Sequence, residues 1–415
     1  MPTWFLALLA LLAFAAPLLA EPPAEANTPI QRDFAAFDPN YAADFRARAV
    51  RIGGLKAALL AQTARGVQNP VANQILFEAG TLLFTTADFK RIDRRMDDLA
   101  AAIAHPALDR QDAEGMWGSG SEQWFLKLDN TFDRLTDEAR HGPDGQPRPL
   151  PAFLDRVATP AKLEAWLDAV AVSDIPHTGI DHGLELNLAI SDLLRIIVLG
   201  EPENYRIDPE LRDAFLRLLK DKYRDPATGF WGERFRGNDE VRFQPDISTT
   251  FHIVSYLKGQ VPDMPRVAET MLSLKNFSSP AGWLSNGHYW NHNNMDVVTV
   301  FRYAWPAAGS AQRQAMAAEI DRMLSWCLRE SLQPDGSFKV LEGDLSQEYA
   351  EDFGVEFLVQ IGFFNLARRF WTDRPFPQSE AIRAEIRTFV EAHAHTGVSG
   401  DNYAGALSEL IRDRD

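Results

Sequence analysis

A short turn built from glycine and an aromatic residue recurs along this chain. Gly229-Phe230-Trp231-Gly232 follows Tyr223-Arg224-Asp225-Pro226-Ala227-Thr228, Gly282-Trp283 follows Ser279-Pro280-Ala281, and Gly336-Ser337-Phe338 follows Gln333-Pro334-Asp335. Upstream, Gly115-Met116-Trp117-Gly118 follows Asp112-Ala113-Glu114. Gly179 in His177-Thr178-Gly179-Ile180 and Gly397 in Thr396-Gly397-Val398 are fainter copies. Successive glycines are 64, 50, 53, 54 and 61 residues apart. Self-similarity at that period calls for a repeat architecture of supersecondary units.

The stretches between the turns read as helices. Tyr41 to Ala64, with Gly53-Gly54 as a weak point, Val71 to Phe84, and Ala87 to Ala104 with Asp88 as its cap precede the first turn. Ser121 to Leu135, Ala152 to Val172, Gly183 to Leu199, Pro209 to Tyr223, Ile247 to Leu257 and Pro265 to Leu274 follow in alternation with the turns. Met295 to Ala304, Ala311 to Ser331, Glu348 to Phe370, Ser379 to His393 and Tyr403 to Ile411 complete the series. No alternating apolar run of useful length stands between turn clusters, so the expected class is all-α. A glycine just past a helix can take the left-handed conformation that ends it, and the following aromatic can plug the turn onto both helix ends. Six hairpins then close most economically as an (α/α)6 toroid with extra N-terminal helices, all turns at one end; an open superhelical solenoid is the competing arrangement. The expected divisions are a leader at 1–26, N-terminal helices at 27–110 and the repeated hairpins at 111–415.

Trp4 to Leu19 is a nearly unbroken apolar run, short for a membrane span and followed by small residues and prolines. It reads as a secretory signal, cleaved after Ala20 or Ala26, which implies a periplasmic or secreted protein with no membrane attachment after cleavage. Its n-region lacks Lys and Arg, and an uncleaved anchor is the competing reading. Cys327, the only cysteine, lies in an apolar helical pattern and is expected to be a buried thiol, so stability must come from packing rather than a disulfide. The formal net charge of −16 argues against nucleic acid and anionic lipid as partners and makes a strongly anionic polymer a less natural substrate. The chain leaves the oligomeric state open, and no cofactor is expected.

The segment from Gly229-Phe230-Trp231 through Asp246-Ile247-Ser248-Thr249-Thr250-Phe251-His252-Ile253 resembles one repeat of the prenyltransferase and terpenoid-cyclase toroids. Gln333-Pro334-Asp335-Gly336-Ser337-Phe338 resembles their glutamine-and-aromatic turn. The likeness covers roughly residues 110–415 as architecture. The clustered aspartates of the cyclases are absent, since Gln244-Pro245-Asp246-Ile247-Ser248 offers one, and the zinc set of the prenyltransferases is not evident; the fold is implied without those activities. The other large group of such toroids comprises glycosidases and polysaccharide lyases, many of them secreted.

Residues just after the turns would line one mouth. The densest stretch is Asn286-Gly287-His288-Tyr289-Trp290-Asn291-His292-Asn293-Asn294-Met295-Asp296, and His252 follows the preceding turn. Aromatic faces with forked hydrogen-bonding groups suit sugar rings, making His182, His252, His288, Trp290, Asn293 and Asp296 candidate substrate-binding residues. The Asn-His cluster beside a Trp is similar to a segment of alginate and chondroitin lyases, although the order of residues differs. In those families an Asn neutralises the uronate carboxylate, a His or Tyr takes the C5 proton and a Tyr protonates the leaving oxygen. That resemblance gives those parts to Asn291 or Asn293, His292 and Tyr349. A hydrolase reading uses Asp246 and Glu348, with Glu342, Asp344, Glu351 and Asp352 nearby. The architectural alternative makes Asn294 the cap of a helix beginning at Met295 and Asp246 the cap of the preceding one. His177, Asp181 and His182 lack the spacing of a zinc helix, and no metal is expected. Trp117, Trp231 and Trp283 read as turn plugs, and Trp290 as the tryptophan best placed to stack a sugar. The function expected is a glycan-active hydrolase or lyase. The alternatives are a non-catalytic glycan-binding or scaffold protein and a cyclase-like enzyme with an apolar substrate.

Overall fold

A computed structural model describes residues 33–113, 115–136, 152–200, 208–237, 240–285, 287–341, 347–393 and 410. The expected leader, Glu342, Asp344, the turn at Gly397 and, apart from Leu410, the last helix lie outside the described residues. The chain divides into two compact units. One runs to Arg224 and takes in Gly232–Gln244; the other holds Asp225–Trp231 and the chain from Pro245 onward.

The first unit contains α1 (Phe34–Phe37), α2 (Tyr41–Thr63), α3 (Pro70–Thr85), α4 (Phe89–Ala104), α5 (Trp124–Thr136) and α6 (Pro160–Val170). The strand β1 (Val172–Ser173) and helices α7 (Ile175–Thr178), α8 (Gly183–Leu193) and α9 (Pro209–Arg217) follow. Helices α2, α3 and α4 close around Ile52, Leu59, Leu76, Leu82, Ile92, Met96 and Leu99. That core overrides the Gly53-Gly54 weak point, for α2 runs through it unbroken. Asp88 caps α4 as expected, accepting the Arg91 N–H at 3.0 Å. The helix expected over 152–172 is interrupted, because Thr159 caps a new start and Pro160 fits only its first turn. Helix α5 packs on α8, and α6 packs on α8 and α9.

Among the described residues three strands depart from an all-helical reading. β2 (Gly232–Arg236) and β3 (Val241–Pro245) stand between the third glycine turn and the helix expected directly after it, and β1 joins β2 in parallel, giving the order β1-β2-β3. Their alternation spans five residues each and is carried mainly by Phe235, between Arg234 and Arg236, and Phe243, between Arg242 and Gln244, too little to register as a strand pattern. The protein is otherwise mostly helical.

The second unit contains α10 (Ile247–Tyr256), α11 (Met264–Ser273), α12 (Asn291–Ala304), α13 (Ser310–Trp326), α14 (Gln347–Gln360) and α15 (Ser379–His393). Helices α10, α12 and α14 pack side by side, and α11 packs on α12 and α13. The two kinds of helix differ in burial. Every residue of α12 from Asn291 to Phe301 is buried, whereas α13 buries one stripe formed by Met316, Glu319, Ile320, Met323 and Leu324. Two boundaries differ from expectation. Helix α12 starts at Asn291 rather than Met295, so Asn294 lies inside it and caps nothing; α14 ends at Gln360 rather than near Phe370, where Gly362 turns the chain at φ 67°.

Three of the repeated turns share one construction. The N–H of Asp112, Asp225 and Gln333 donates to the carbonyl one residue past the glycine, on Met116, Phe230 and Ser337. Gly115, Gly229 and Gly336 take φ of 84°, 77° and 89°, as a left-handed stop requires; Gly282 is not left-handed and instead packs its Cα against the Phe277 backbone. The aromatic that follows is then stitched to the next helix by a polar side chain. Thr131 Oγ1 accepts the Trp117 N–H at 2.8 Å, Thr250 Oγ1 accepts the Trp231 N–H at 3.2 Å, and Glu351 Oε1 accepts the Phe338 N–H at 2.7 Å. At the Gly282 turn the Asn293 amide donates to the Trp283 carbonyl at 2.8 Å. Trp117, Trp231, Trp283 and Phe338 are all buried, so the expected plugs are architectural. Phe338 sits on Gly354 of α14, where a Cβ would lie 2.5 Å from its ring.

Candidate functional site

The buried polar residues of the second unit concentrate on α12. His292 and Asp296 are one helical turn apart and share a face. That face meets α14: Tyr349 Oη and His292 Nδ1 are 2.8 Å apart, and the Phe353 ring lies 4.2 Å from the imidazole. On the other side Trp290 packs edge-on at 4.7 Å. His292 Nε2 stands 3.9 Å from Asp296 Oδ2, too far for a hydrogen bond, and makes none with the described residues.

Burial sets the protonation of both groups. It pushes the His292 imidazole down to about 3, leaving it neutral at physiological pH. Burial also pushes Asp296 well above the usual carboxylate range, and the charges of Glu356 and Asp246 add to the effect. Asp296 therefore holds its proton more tightly than a free carboxyl, under the influence of two other carboxyl groups, one from the start of α10 and one from α14. Asp246 is itself buried and accepts the Thr249 N–H at 2.6 Å, which bears out its reading as a cap.

The remaining candidates are engaged in other contacts or lie in the other unit. Asn291 donates to Ser331 Oγ at 3.0 Å, and Asn293 is committed to its turn. Trp290 is 3% exposed and offers no open face for stacking a sugar, contrary to its place as the preferred stacking tryptophan. His252 is buried against Phe251 and Tyr256, with Nε2 3.4 Å from Ser248 Oγ. His288 is exposed, and its backbone pairs with Ser285. Glu348 is half-buried on the first turn of α14, on the same stripe as Asp352 and Glu356 and two turns from the latter. His182 belongs to the other unit, with Nδ1 3.4 Å from Glu185. His177 pairs with Asp174 at 2.7 Å, and no group of His, Cys, Asp and Glu is arranged to hold a metal among the described residues.

Glu356 was not singled out by the sequence. The spacing of Tyr349, Asp352, Phe353 and Glu356 along one side of a helix was the available signal, and the acidic composition around it hid that signal. No family model, curated protein sequence or solved structure matches this chain.

Proposed function

We propose that this chain is an exported carbohydrate-active enzyme on an (α/α)6 toroid, and that it hydrolyses glycosidic bonds at the Asp246–Asp296–Glu356 cluster. The observation that carries the reading is Asp296, a buried carboxyl whose hold on its proton is strengthened by burial and by carboxyl groups from two other elements. Glycoside hydrolysis needs that pairing: one carboxylic acid to protonate the leaving oxygen and one carboxylate to act as base or nucleophile. Asp296 takes the acid role and Asp246 or Glu356 the second. His292 and Tyr349 hold the cluster's flank and fix its geometry. The toroid is supported by the alternation of helices buried all round with helices buried on one stripe, and by the stitched turns. Export rests on the apolar leader.

A second reading, elimination from a uronate, draws on the 2.8 Å hydrogen bond between His292 and Tyr349, the base and acid of such chemistry. The local charge favours hydrolysis. A uronate carboxylate placed beside Asp246 and Glu356 would meet like charge, and the net charge of −16 does not relieve it.

Incubation with neutral and acidic polysaccharides, read for reducing ends and for the absorbance of unsaturated uronates, separates the two. The expected result is new reducing ends from a neutral glycan, lowered about 10²–10⁴-fold in Asp296→Asn. Unsaturated products would favour elimination, and no product of either kind would overturn both.

A further inference from the structure

The unit that runs to Arg224 holds a cleft of about 180 Å³ whose walls come from the end of α3, at Leu82, Thr85 and Thr86, and from the starts of three other helices. Arg91 comes from the first turn of α4, Gln123 and Phe125 from the beginning of α5, and His182 and Glu185 from the beginning of α8. Ile180, 41% exposed, stands at its edge.

These groups are held by partners behind them. Glu78, fully buried in α3, accepts the N–H groups of Glu122 and Gln123 at 3.0 and 2.9 Å, fixing the backbone that carries the Gln123 side chain. The Glu185 carboxylate accepts the Trp124 indole N–H at 2.7 Å and lies 3.4 Å from His182 Nδ1. Arg91 stands 3.7 Å from both Glu78 and Glu122. One group is left over: the Gln123 amide nitrogen is shielded from solvent and makes no hydrogen bond with the described residues. A shielded donor without an acceptor is costly, and a bound molecule or water relieves it.

We infer that this cleft binds a single neutral sugar residue. Gln123, His182 and Arg91 supply donors, Glu185 supplies acceptor oxygens, and the exposed Ile180 and half-buried Leu184 supply the apolar surface that suits the C–H face of a pyranose. The lining includes two carboxylate residues, Asp181 and Glu185, which disfavour a uronate or sugar phosphate. The volume fits one ring rather than an oligosaccharide. The inference stands apart from the catalytic reading, because none of its residues belongs to the unit that holds His292.

Saturation-transfer NMR and calorimetry on the full chain, with D-glucose, D-galactose, D-mannose, N-acetyl-D-glucosamine and D-glucuronate as probes, test it. Saturable binding of at least one neutral sugar is expected, and D-glucuronate is expected not to bind. Gln123→Leu should weaken the binding about fivefold or more. Ile180→Trp, a change at the cleft edge, should abolish it with circular dichroism and Tm unchanged, and Tyr349→Phe should leave it intact. The inference is overturned if no neutral sugar saturates, if D-glucuronate alone binds, or if binding survives Ile180→Trp in a folded protein.

Discussion

His292 and Asp296 show what a packed interior does to a polar pair: burial disfavours the charge on both, and no hydrogen bond spans the 3.9 Å between them. The Tyr349 hydroxyl then becomes the specific partner of His292 in that pocket. Tyr349→Phe keeps the ring and removes that bond, and urea unfolding should register a loss of about 1–2 kcal/mol. An unchanged midpoint would show that the bond contributes nothing. Glu351 gives a pH signature of opposite sign to His292. Burial pushes Glu351 up to about 8, against the Phe338 N–H and Gln347 amide that favour its ionised form. Its folded value lies above the ordinary 4.5, so its contribution is full below 4.5 and is lost as pH rises through 8. The folded value of His292, about 3, lies below the ordinary 6.5, so its contribution is full above 6.5 and is lost as pH falls toward 3. Between 4.5 and 6.5 the two offset each other. From pH 6.5 to 8 the effect of Glu351 is no longer offset by His292, and Glu351→Gln should flatten the decline in unfolding free energy by up to about 2 kcal/mol.

The glycine turns place their burden on two positions, the glycine and the stitch. At Gly336 a Cβ would come within 2.4 Å of the Glu385 carbonyl while the backbone stays at φ 89°. Gly336→Ala should therefore cost about 2–4 kcal/mol, more than an ordinary helix-end glycine change. Thr250→Val keeps the shape but leaves both the N–H and the C=O of Trp231 without their side-chain partner, and a loss of about 1–3 kcal/mol in thermal or urea unfolding is expected. The sequence made the turns legible because glycine, aspartate and aromatic are each chosen locally. It concealed the stitches, because Thr131, Thr250 and Glu351 lie 13 to 19 residues downstream and are ordinary in composition. The same distinction explains α12. A run of asparagines signals a cap by propensity, yet here it enters a buried helix whose partners, Ser331, Trp283 and Tyr349, come from elsewhere in the chain. The helices themselves were largely readable, Ser379–His393 to the residue, because their apolar period does not depend on neighbours.

Across the whole molecule, a chain with one cysteine has no covalent brace. Cys327 is completely buried, and burial raises its thiol pKa. A thiol reagent should label it only after denaturation, and reductant should leave Tm unchanged; rapid labelling of the native protein would contradict the packing around α13. Stability then rests on helices that are completed pair by pair. The spans from each plug to its stitch are short, 14 residues for Trp117–Thr131, 19 for Trp231–Thr250, 10 for Trp283–Asn293 and 13 for Phe338–Glu351. Each knot can therefore be tied as soon as its own downstream helix has emerged, without waiting for the C-terminus. For a chain delivered N-terminus first, that makes order of assembly follow order of synthesis, so a nascent chain need not leave a finished hairpin open while the next is being made.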